Sequence, residues 1–286
     1  MTRAEARAPR CCTVSGDRGV SDRRHLAERV YATGSVLAAR QRIYEHCGRL
    51  DAFQDWALGL VAVPAGGRVV DVGCGNGRYL RQLAATTTAE LVGLDLSAAL
   101  LSDLRPRLGA RARLAVCDAA ALPLPERTAD VVLAMHMLYH VADMAQGVRE
   151  LRRIVKPDGT VLVATNADGH LAEIDALVSA AVRELAGGQF TRTQWARRLP
   201  LSAAMDLLDR LFTQVSVHRY QGWLSIPSAA PVCSYLGSVR ALNEGALPGH
   251  VSWHDVVTTV GHLLADVSVE RPLRVRVDSG VVRARR

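Results

Sequence analysis

Lysine is almost absent from this chain of 286 residues, and aromatic residues make up only 5% of it. Lys156 is the single lysine, so arginine supplies nearly all of the positive charge behind the formal net charge of +7. An excess of positive charge can indicate a nucleic-acid partner. Here the arginines are scattered, apart from a few at the two termini, and few of them alternate with aromatic residues. The composition therefore argues against nucleic-acid binding.

Other absences exclude further classes of protein. The sequence contains no apolar run of the roughly 20 residues that a membrane-spanning helix needs, and its first residues lack the apolar core of a secretory signal. The six cysteines form neither a C-x-x-C pair nor a Cys/His cluster with zinc spacing, which argues against a disulfide framework and a structural metal. With 49% hydrophobic and 22% charged residues, the composition is that of an ordinary globular protein. We expect a cytoplasmic protein with reduced thiols and no membrane partner.

The hydrophobic pattern divides the chain into segments. Residues 1–22 show little apolar periodicity and are predicted to form a disordered tail. Residues 23–64 have apolar residues near helical spacing and are predicted to form an N-terminal helical lid. Residues 65–286 are predicted to form the main domain, with cap segments at about 187–211 and 227–268.

Between residues 65 and 166, short runs rich in Val and Leu alternate with amphipathic stretches. Strands of a parallel sheet are apolar throughout because helices cover both faces. The alternation therefore predicts an α/β fold with a doubly wound, mostly parallel sheet. The predicted strands are Arg68–Val72, Leu91–Asp95, Arg113–Val116, Ala129–Met135 and Thr160–Asn166, and the predicted helices are Gly77–Ala85, Ser97–Leu108 and Met144–Val155.

The last third of the chain has a less regular pattern. Helices are predicted at His170–Leu185 and Ser202–Leu211, followed by a strand at Gln214–Arg219. A strand at Leu273–Val277 is predicted to end in a turn at Asp278-Ser279-Gly280, before a second short strand.

A glycine-rich segment, Asp71-Val72-Gly73-Cys74-Gly75-Asn76-Gly77, follows the first predicted strand and precedes a helix. Glycine allows sharp turns and lets a ligand approach the backbone, and doubly wound sheets bind ligands at this edge. A dinucleotide-binding loop would need G-x-G-x-x-G, but position 78 is arginine. Asp71 would also repel a pyrophosphate and attract an ammonium group.

Two more carboxylates follow the next two predicted strands. Asp95 lies in Leu94-Asp95-Leu96-Ser97, at the end of the second strand, where a carboxylate can bind ribose hydroxyls. Asp118 lies in Cys117-Asp118-Ala119, where it can accept a hydrogen bond from an exocyclic amine such as that of adenine. Together with Asp71, these residues suit a ligand that has an ammonium, a ribose and an adenine but no phosphate.

With these motifs, and with the segments Asp130–Val141 and Leu151–Thr160, the chain resembles the class I S-adenosylmethionine-dependent methyltransferases over about residues 65–166. The resemblance implies a Rossmann-like methyltransferase fold whose sheet has seven strands and a reversed final hairpin, with a helical cap. Residues 214–219 and 273–285 are expected to supply that hairpin. The implied cofactor is S-adenosylmethionine.

The resemblance also implies roles for individual residues. It assigns the Asp71–Gly77 loop to the methionine portion of the cofactor, Asp95 to the ribose, and Asp118 to the adenine edge. Tyr31, Arg40 and Tyr44 lie on the lid, which in this family commonly covers the cofactor. Arg40 is a candidate for pairing with the cofactor carboxylate, although a solvated helix face is the alternative. The implied cofactor-binding residues are Asp71, Gly73, Cys74, Gly75, Gly77, Asp95, Leu96, Asp118, Ala119, Met135 and Arg40, with Cys74 interpreted as a packing residue.

Methyl transfer requires an aligned acceptor and, for some acceptors, a base that removes a proton. Histidine suits that role near neutral pH. His136 and His140 flank the loop after the fourth strand and are the predicted catalytic residues. The alternative is that one packs against the cofactor and the other caps a helix. Asn166 and His170 follow the fifth strand and are predicted to contact the acceptor.

The leading hypothesis is a methyltransferase that acts on a small molecule, for example as a tailoring enzyme of secondary metabolism, since an enclosed apolar cap suits a small acceptor. An RNA or protein methyltransferase is the main alternative. Enzymes of this family that methylate the amine of adenine or cytosine often carry an Asn-Pro-Pro-Tyr-like loop. Here the corresponding loop is Ala134-Met135-His136-Met137, which argues against methylation of a base amine. A non-catalytic S-adenosylmethionine-binding module and a nicotinamide dehydrogenase are the remaining alternatives.

Overall fold

The computed structural model describes residues 25–31, 33–48, 52–188 and 199–286. The predicted tail and residues 189–198 of the first predicted cap segment lie outside the described residues. The N-terminal segment consists of several short helical pieces instead of long helices. These are a π-helical turn at Leu26–Val30, α1 at Gly34–Arg42, a 3₁₀ turn at Ile43–His46 and α2 at Phe53–Leu58.

Within the described residues, the sheet has seven strands in the order β3-β2-β1-β4-β5-β7-β6. Strands β1 to β5 pair in parallel, and β7 is antiparallel to both of its neighbours. The bounds are β1 Arg68–Val72, β2 Glu90–Asp95, β3 Ala112–Val116, β4 Ala129–Met135, β5 Val155–Asn166, β6 Gln214–Ile226 and β7 Leu273–Arg285. The structure confirms the predicted doubly wound, mostly parallel sheet with a reversed final hairpin.

The remaining α-helices lie between the strands in sequence. They are α3 Arg78–Thr86, α4 Ala98–Leu108, α5 Met144–Ile154, α6 Ala172–Ala186, α7 Leu201–Asp209, α8 Ala229–Ser238, α9 Arg240–Asn243 and α10 Trp253–Leu263. Side chains cap three of their N-termini. The Ser97 Oγ accepts from the Leu100 backbone N–H at 3.2 Å in front of α4. Asp143 and Ser252 accept in the same way in front of α5 and α10, which satisfies backbone donors that have no partner within the helix.

Alternate strand residues face opposite sides of the sheet, as the pleat requires. Val70 and Val72 pack in a core with α5 and α7, whereas Val69 packs in a second core with α3 and α4. These side chains are almost fully buried, and each contributes about 1.5–3 kcal/mol through the area removed from water. Both faces of the sheet are covered, which accounts for the continuous apolar runs in the sequence.

Helix α7 belongs to the predicted cap segment 187–211, but the structure places it on the sheet. Leu201, Ala204 and Leu208 are buried in the same core as β5 and β7. Their spacing of three and four residues brings them to one face of the helix. This part of the predicted cap therefore covers the sheet and not the acceptor site.

The hairpin of β6 and β7 extends beyond the rest of the sheet. Pairing of β7 with β5 ends at Asn166 and Ser279, but pairing with β6 continues to Ile226 and Leu273. The predicted strand at Gln214–Arg219 is therefore seven residues longer in the structure. Because Asn166 is the carboxyl end of β5, the extended part of the hairpin projects past the edge of the sheet where ligands bind.

The predicted turn at Asp278-Ser279-Gly280 is wrong, because β7 runs through it as one continuous strand. Gly280 pairs with Thr165 on one side and with Arg219 on the other. A Cβ atom on Gly280 would lie 2.6 Å from Leu201 and 2.7 Å from a backbone oxygen, so glycine is required here for close packing.

The second predicted cap segment, 227–268, covers the projecting hairpin. Leu236 of α8 and Val256 of α10 share a core with Val178 of α6 and Val275 of β7. Helix α8 also packs against α1 of the lid. Among the described residues, no helix is both long enough and apolar enough to cross a membrane.

Candidate active site

A cavity of about 1230 Å³ lies at the carboxyl ends of the strands, between the sheet and the N-terminal segment. It lies at the point where the strand order reverses between β1 and β4, which is the usual ligand crevice of such sheets. The sequence-predicted residues on its wall are Arg40, Asp71, Gly73, Cys74, Gly75, Asp95, Leu96, Asp118, Ala119, Met135, His136, His140, Asn166 and His170. All six tyrosines of the chain line this cavity as well.

Asp71 is a buried carboxylate that lacks a partner. Its exposed fraction is 1%, and neither of its oxygens has a hydrogen-bond donor among the described residues. Burial, together with the nearby charge of Asp95, raises the pKa of Asp71 well above its usual value. A buried carboxylate without a partner is costly for a protein. The side chain is therefore suited to pair with a cationic group of a ligand that enters the cavity.

The glycine-rich loop turns through three left-handed residues. Gly73, Gly75 and Gly77 have φ values of 69°, 55° and 72°, which favour glycine. Gly77 was predicted to bind the cofactor, but it does not line the cavity. A Cβ atom there would lie 2.3 Å from Leu104, so Gly77 instead permits the close packing of the loop against α4.

Cys74 is buried beside Gly93, where a Cβ atom would lie 3.1 Å from the Cys74 Sγ. Burial, together with the charges of Asp71 and Asp95, raises the pKa of the Cys74 thiol well above its usual value. A protonated and enclosed thiol is a poor nucleophile. This environment supports the interpretation of Cys74 as a packing residue.

Two backbone N–H groups, one in the glycine-rich loop and one just after β2, hold the Asp95 carboxylate in place. Its Oδ2 accepts from the Gly75 N–H at 2.8 Å, and its Oδ1 accepts from the Ser97 N–H at 2.8 Å. Burial raises the pKa of Asp95 although these hydrogen bonds lower it. Asp118 is oriented similarly, with its Oδ1 accepting from the Ala120 N–H at 2.8 Å. The two carboxylates thus have fixed positions on the cavity wall.

Arg40 is buried, so the alternative of a solvated helix face is wrong. Its Nη1 donates to the Tyr31 hydroxyl at 3.2 Å, and its Nη2 donates to the Ser238 carbonyl at 2.9 Å. The Tyr31 hydroxyl in turn lies 2.7 Å from the His140 Nε2. The Arg40 Nε has no hydrogen-bond partner among the described residues and is available to an anionic group of a ligand.

The N-terminal segment closes over the glycine-rich loop. A Cβ atom on Gly75 would lie 3.0 Å from Leu37, and Asn76 donates to the Gln41 side chain at 2.9 Å. The Ser97 hydroxyl also donates to the Tyr31 carbonyl at 2.9 Å. These contacts place α1 above the loop, where a ligand would be enclosed.

His136 follows β4, which pairs with β1 on the side away from β2 and β3. Its φ is 56°, a left-handed conformation that is uncommon for a residue with a side chain. Its ring lies 5.1 Å from that of Phe53 and makes no hydrogen bond to the described residues. Burial lowers the pKa of His136 to about 4, so the imidazole is neutral near pH 7.

His170 belongs to a hydrogen-bonded cluster beside His136. The Tyr44 hydroxyl lies 2.9 Å from the His170 Nε2, and the Asp278 backbone N–H donates to the His170 Nδ1 at 3.1 Å. The Ser279 hydroxyl donates to the Asn166 Oδ1 at 2.7 Å. Burial, together with the influence of His136, lowers the pKa of His170 to about 3.

Sequence reasoning missed several residues that line the cavity. Tyr220 and Ser279 lie on the projecting hairpin, one in a strand predicted to be too short and the other in a segment predicted to be a turn. Tyr235 lies on α8 of the cap. The continuous alternation of Leu273–Val277 into the following residues was the available signal for Ser279.

The fold and the site together define a Rossmann-like methyltransferase. A family described as "Methyltransferase domain" matches residues 70–163. The malonyl-[acyl-carrier protein] O-methyltransferase of Pectobacterium atrosepticum is 35% identical over 200 residues, a match that covers 68% of this chain and 73% of that protein. This relationship shows that the chain belongs to the class I S-adenosylmethionine-dependent methyltransferases, and its cofactor is S-adenosylmethionine.

Other relatives match over shorter regions. The 2-methyl-6-phytyl-1,4-hydroquinone methyltransferase of a Synechocystis species is 34% identical over 46% of this chain and 42% of that protein. A mouse tRNA (carboxymethyluridine(34)-5-O)-methyltransferase is 32% identical over 36% of this chain and 15% of that protein. The chain thus spans less than half the length of these curated relatives.

Solved structures share the fold at low sequence identity. A methyltransferase-like protein of Bacillus halodurans superposes with a TM-score of 0.55 at 16% identity, covering 82% of this chain and 99% of that one. Phosphoethanolamine N-methyltransferase 2 of Haemonchus contortus, in complex with S-adenosylmethionine, superposes with a TM-score of 0.55 at 18% identity, covering 94% of this chain and 61% of that one.

The residues on the cavity wall fit this cofactor. Asp71 offers a carboxylate without a partner, and Asp95 and Asp118 offer oriented acceptors for hydroxyl and amine groups. A dinucleotide would place a pyrophosphate beside the buried Asp71, which is electrostatically unfavourable.

Replacing Asp95 with Ala is expected to weaken cofactor binding by about 2–3 kcal/mol, or roughly 30- to 150-fold, because charge-assisted hydrogen bonds to the ribose are lost. The variant should also be less stable when empty, since the Gly75 and Ser97 N–H groups lose their acceptor. Titration calorimetry with S-adenosylhomocysteine and thermal unfolding measure the two effects. Asp95→Asn, which keeps one acceptor oxygen, should be intermediate in stability. Unchanged affinity in the Ala variant would contradict a ribose contact.

Proposed function

We propose that the protein transfers the methyl group of S-adenosylmethionine to an uncharged small molecule held in the part of the cavity nearest β4, β5 and the projecting hairpin. We call the side chains on that side the acceptor wall. It consists of Tyr44, Phe53, His136, Asn166, His170, Tyr220, Tyr235 and Ser279.

The observation that carries this proposal is the absence of charge on the acceptor wall. None of its eight members is an acid, a lysine or an arginine, and burial keeps the imidazoles of His136 and His170 neutral. The ring of Phe53 contacts both His136 and Tyr220 at about 5 Å between centroids, a geometry typical of packed aromatic pairs. An uncharged acceptor is the chemistry that this surface favours.

The relatives named above act on acceptors of different chemical classes. One relative acts on a substituted hydroquinone, which is an uncharged aromatic alcohol. Others act on a malonyl-[acyl-carrier protein] and on tRNA, both of which present anionic groups. The eight side chains of the acceptor wall are better suited to the first class, because none of them is a cation that would bind a carboxylate or a phosphate. Arg40, whose charge reaches Tyr44, is assigned to the cofactor carboxylate.

On this proposal, Asp71 holds the ammonium of the cofactor, Asp95 its ribose and Asp118 its adenine edge. The Arg40 Nε, which lacks a partner, is suited to the cofactor carboxylate. Residues of the N-terminal segment serve as the lid over the bound cofactor, and α8 packs against α1 of that lid. Location in the cytoplasm stays a prediction from the sequence.

When bound, the cofactor supplies an activated methyl group on its sulfonium. The chain's own part is to hold the acceptor in line and to accept its proton. His136 is suited to this because its neutral ring lines the cavity and makes no hydrogen bond to the described residues. His140 instead bonds to the Tyr31 hydroxyl, so we propose that it anchors the lid.

The first test is cofactor selectivity. Titration calorimetry of the full chain should show micromolar binding of S-adenosylmethionine and S-adenosylhomocysteine. NAD should give no comparable heat, because Asp71 opposes its pyrophosphate. Tight binding of NAD without binding of S-adenosylmethionine would overturn the assignment of the cavity.

The second test is a methylation screen with methyl-labelled S-adenosylmethionine. Three groups of acceptors separate the alternatives: uncharged hydroquinones and phenols, a malonyl thioester of an acyl-carrier protein, and bulk tRNA. Labelling confined to the first group supports the proposal. Labelling of the thioester or of tRNA in preference to the first group would refute it.

A further inference from the structure

The hydrogen bonds around His170 determine which of its ring nitrogens carries the proton. The backbone N–H of Asp278 can only donate, and it points at the His170 Nδ1 at 3.1 Å. The Nδ1 is therefore the unprotonated acceptor nitrogen. In a neutral imidazole the proton then lies on Nε2.

That assignment fixes the direction of the next hydrogen bond. The His170 Nε2–H donates to the Tyr44 oxygen at 2.9 Å, so the Tyr44 hydroxyl uses its oxygen here and keeps its hydrogen for another partner. Among the described residues, His170 is the hydrogen-bond partner of the Tyr44 hydroxyl. Tyr44 lines the cavity, where a bound molecule can receive that hydrogen.

Asn166 also has hydrogen-bond donors that are left for a bound molecule. The Ser279 hydroxyl donates to the Asn166 Oδ1 at 2.7 Å, which occupies the amide oxygen and leaves the amide N–H groups as donors. The Ser279 oxygen also lies 3.3 Å from the His170 Nδ1, so Asn166 and His170 are both neighbours of the same serine. Both Asn166 and Tyr44 lie on the cavity wall.

We propose that Tyr44 and Asn166 form a pair of hydrogen-bond donors that recognises an uncharged oxygen of the methyl acceptor, such as a carbonyl or ether oxygen. His170 is a positioning residue, because it acts on the bound molecule through Tyr44. This inference rests on the proposed function for its location of the acceptor. It goes further by naming the group recognised and by disfavouring acceptors that offer only N–H or hydrocarbon groups to this wall.

The protonation states of the cluster are consistent with a fixed donor pattern. Burial is the main cause that raises the pKa of Tyr44, so its hydroxyl remains protonated. The pKa of His170, lowered to about 3, keeps its ring neutral near pH 7. Ring stacking also fixes the geometry, with the Tyr44 and His170 centroids 5.9 Å apart at an interplanar angle of 26°.

The first experiment reads the tautomer directly. Histidine labelled with ¹⁵N in the full chain, with the His170 signals assigned by comparison with His170→Gln, should show a protonated Nε2 and an unprotonated Nδ1 at pH 7. A protonated Nδ1 would overturn the proposal. This readout requires neither cofactor nor methyl transfer, so it can fail or succeed independently of the proposed function.

The second experiment uses two probes of nearly equal shape, acetophenone and α-methylstyrene, which differ in having a carbonyl oxygen or a methylene group. Their affinities for the chain saturated with S-adenosylhomocysteine can be measured by ligand-observed NMR. We expect acetophenone to bind about 5- to 10-fold more tightly, in line with one or two hydrogen bonds between neutral groups. Tyr44→Phe should reduce this preference to about 2-fold or less.

Matched variants separate recognition from packing. His254→Leu removes an exposed histidine of α10 that does not line the cavity, and it should keep the preference for acetophenone. His170→Gln, whose amide offers one acceptor and one donor, should keep more of the preference than His170→Leu. S-adenosylhomocysteine affinity should be unchanged in all of these variants, which checks that they fold. No preference in the wild type, no binding of either probe, or an undiminished preference in Tyr44→Phe would each refute the proposal.

Discussion

Replacing Asp71 with Asn is expected to weaken S-adenosylmethionine binding by about 10²- to 10³-fold, because a buried ammonium would lose its ionic partner. The same variant should be more stable than the wild type when empty. Both Asp71 oxygens are buried without a hydrogen-bond partner, and the pKa of this carboxyl is raised in the folded state. A loss of affinity together with a gain in stability would indicate that the Asp71 carboxylate destabilises the empty protein and contributes to ligand binding.

The stability gain should depend on pH in a defined direction. A carboxyl whose pKa is raised by folding contributes stability below its unfolded pKa, near 4, and loses it as the pH rises through the folded pKa. Asp71→Asn should therefore gain about 1–3 kcal/mol at pH 7, worth about 2–4 °C in Tm per kcal/mol. At pH 4 the difference should nearly vanish.

Thermal unfolding at both pH values and calorimetry with S-adenosylmethionine measure these effects. Asp206→Asn is a matched control, since Asp206 is exposed on α7 away from the cavity. It should change neither property by more than experimental error. An Asp71→Asn variant that is less stable than the wild type at pH 7, or that binds the cofactor normally, would rule out the ammonium contact.

Replacing His136 with Ala is expected to lower turnover by about 10²- to 10⁴-fold if its imidazole accepts the proton of the acceptor. Affinity for S-adenosylmethionine should be nearly unchanged, because the proposed cofactor contacts lie at the ends of β1, β2 and β3 and on α1, and do not include His136. Single-turnover rates with an acceptor found in the methylation screen separate chemistry from product release.

The pH dependence follows from the burial of His136. Only the neutral imidazole can accept a proton, and its pKa is lowered to about 4. The wild-type rate should therefore rise with pH through about 4 and be flat between pH 6 and pH 8. An unperturbed histidine would instead give a rise near pH 6.5.

His140→Ala is the comparison variant, since the His140 ring is bonded to Tyr31 of the lid. It should affect cofactor affinity more than the chemical step. The alternative is that alignment alone suffices, as for an acceptor that needs no base. In that case His136→Ala would cost less than about 10-fold, and the histidine would be removed from the mechanism.

The part of the fold with periodic, apolar elements was predictable from the sequence. Buried strands such as Ala129–Met135 have the predicted bounds. Because helices cover both faces of the sheet, such a strand is apolar along its length, and its ends are visible in the sequence as the ends of an apolar run. The positions of Asp71, Asp95 and Asp118 were equally predictable, because each lies at or just after the carboxyl end of a strand in a parallel sheet. For these residues, the position along a strand in the sequence also gives the position at the edge of the sheet.

The acceptor side was predictable only in part, because it depends on long-range contacts. His170 and Ser279 are more than 100 residues apart in sequence, yet they lie within hydrogen-bonding distance. Asp278-Ser279-Gly280 has the composition of a turn, but Gly280 occupies a place in the strand where a side chain would clash. Arg40 is charged and lies on a helix of weak amphipathic character, so its burial beside Tyr31 depends on tertiary packing.

The scarcity of aromatic residues has a practical consequence. All six tyrosines of the chain line one cavity, so a spectroscopic label on tyrosine would report on that cavity and on nothing else. Biosynthetic incorporation of 3-fluorotyrosine would give six ¹⁹F resonances without background from the remaining surface or core. Those near the glycine-rich loop, such as Tyr79, should respond to the cofactor, and those near Tyr44 to the acceptor. Occupancy of the two halves could then be followed separately in one spectrum.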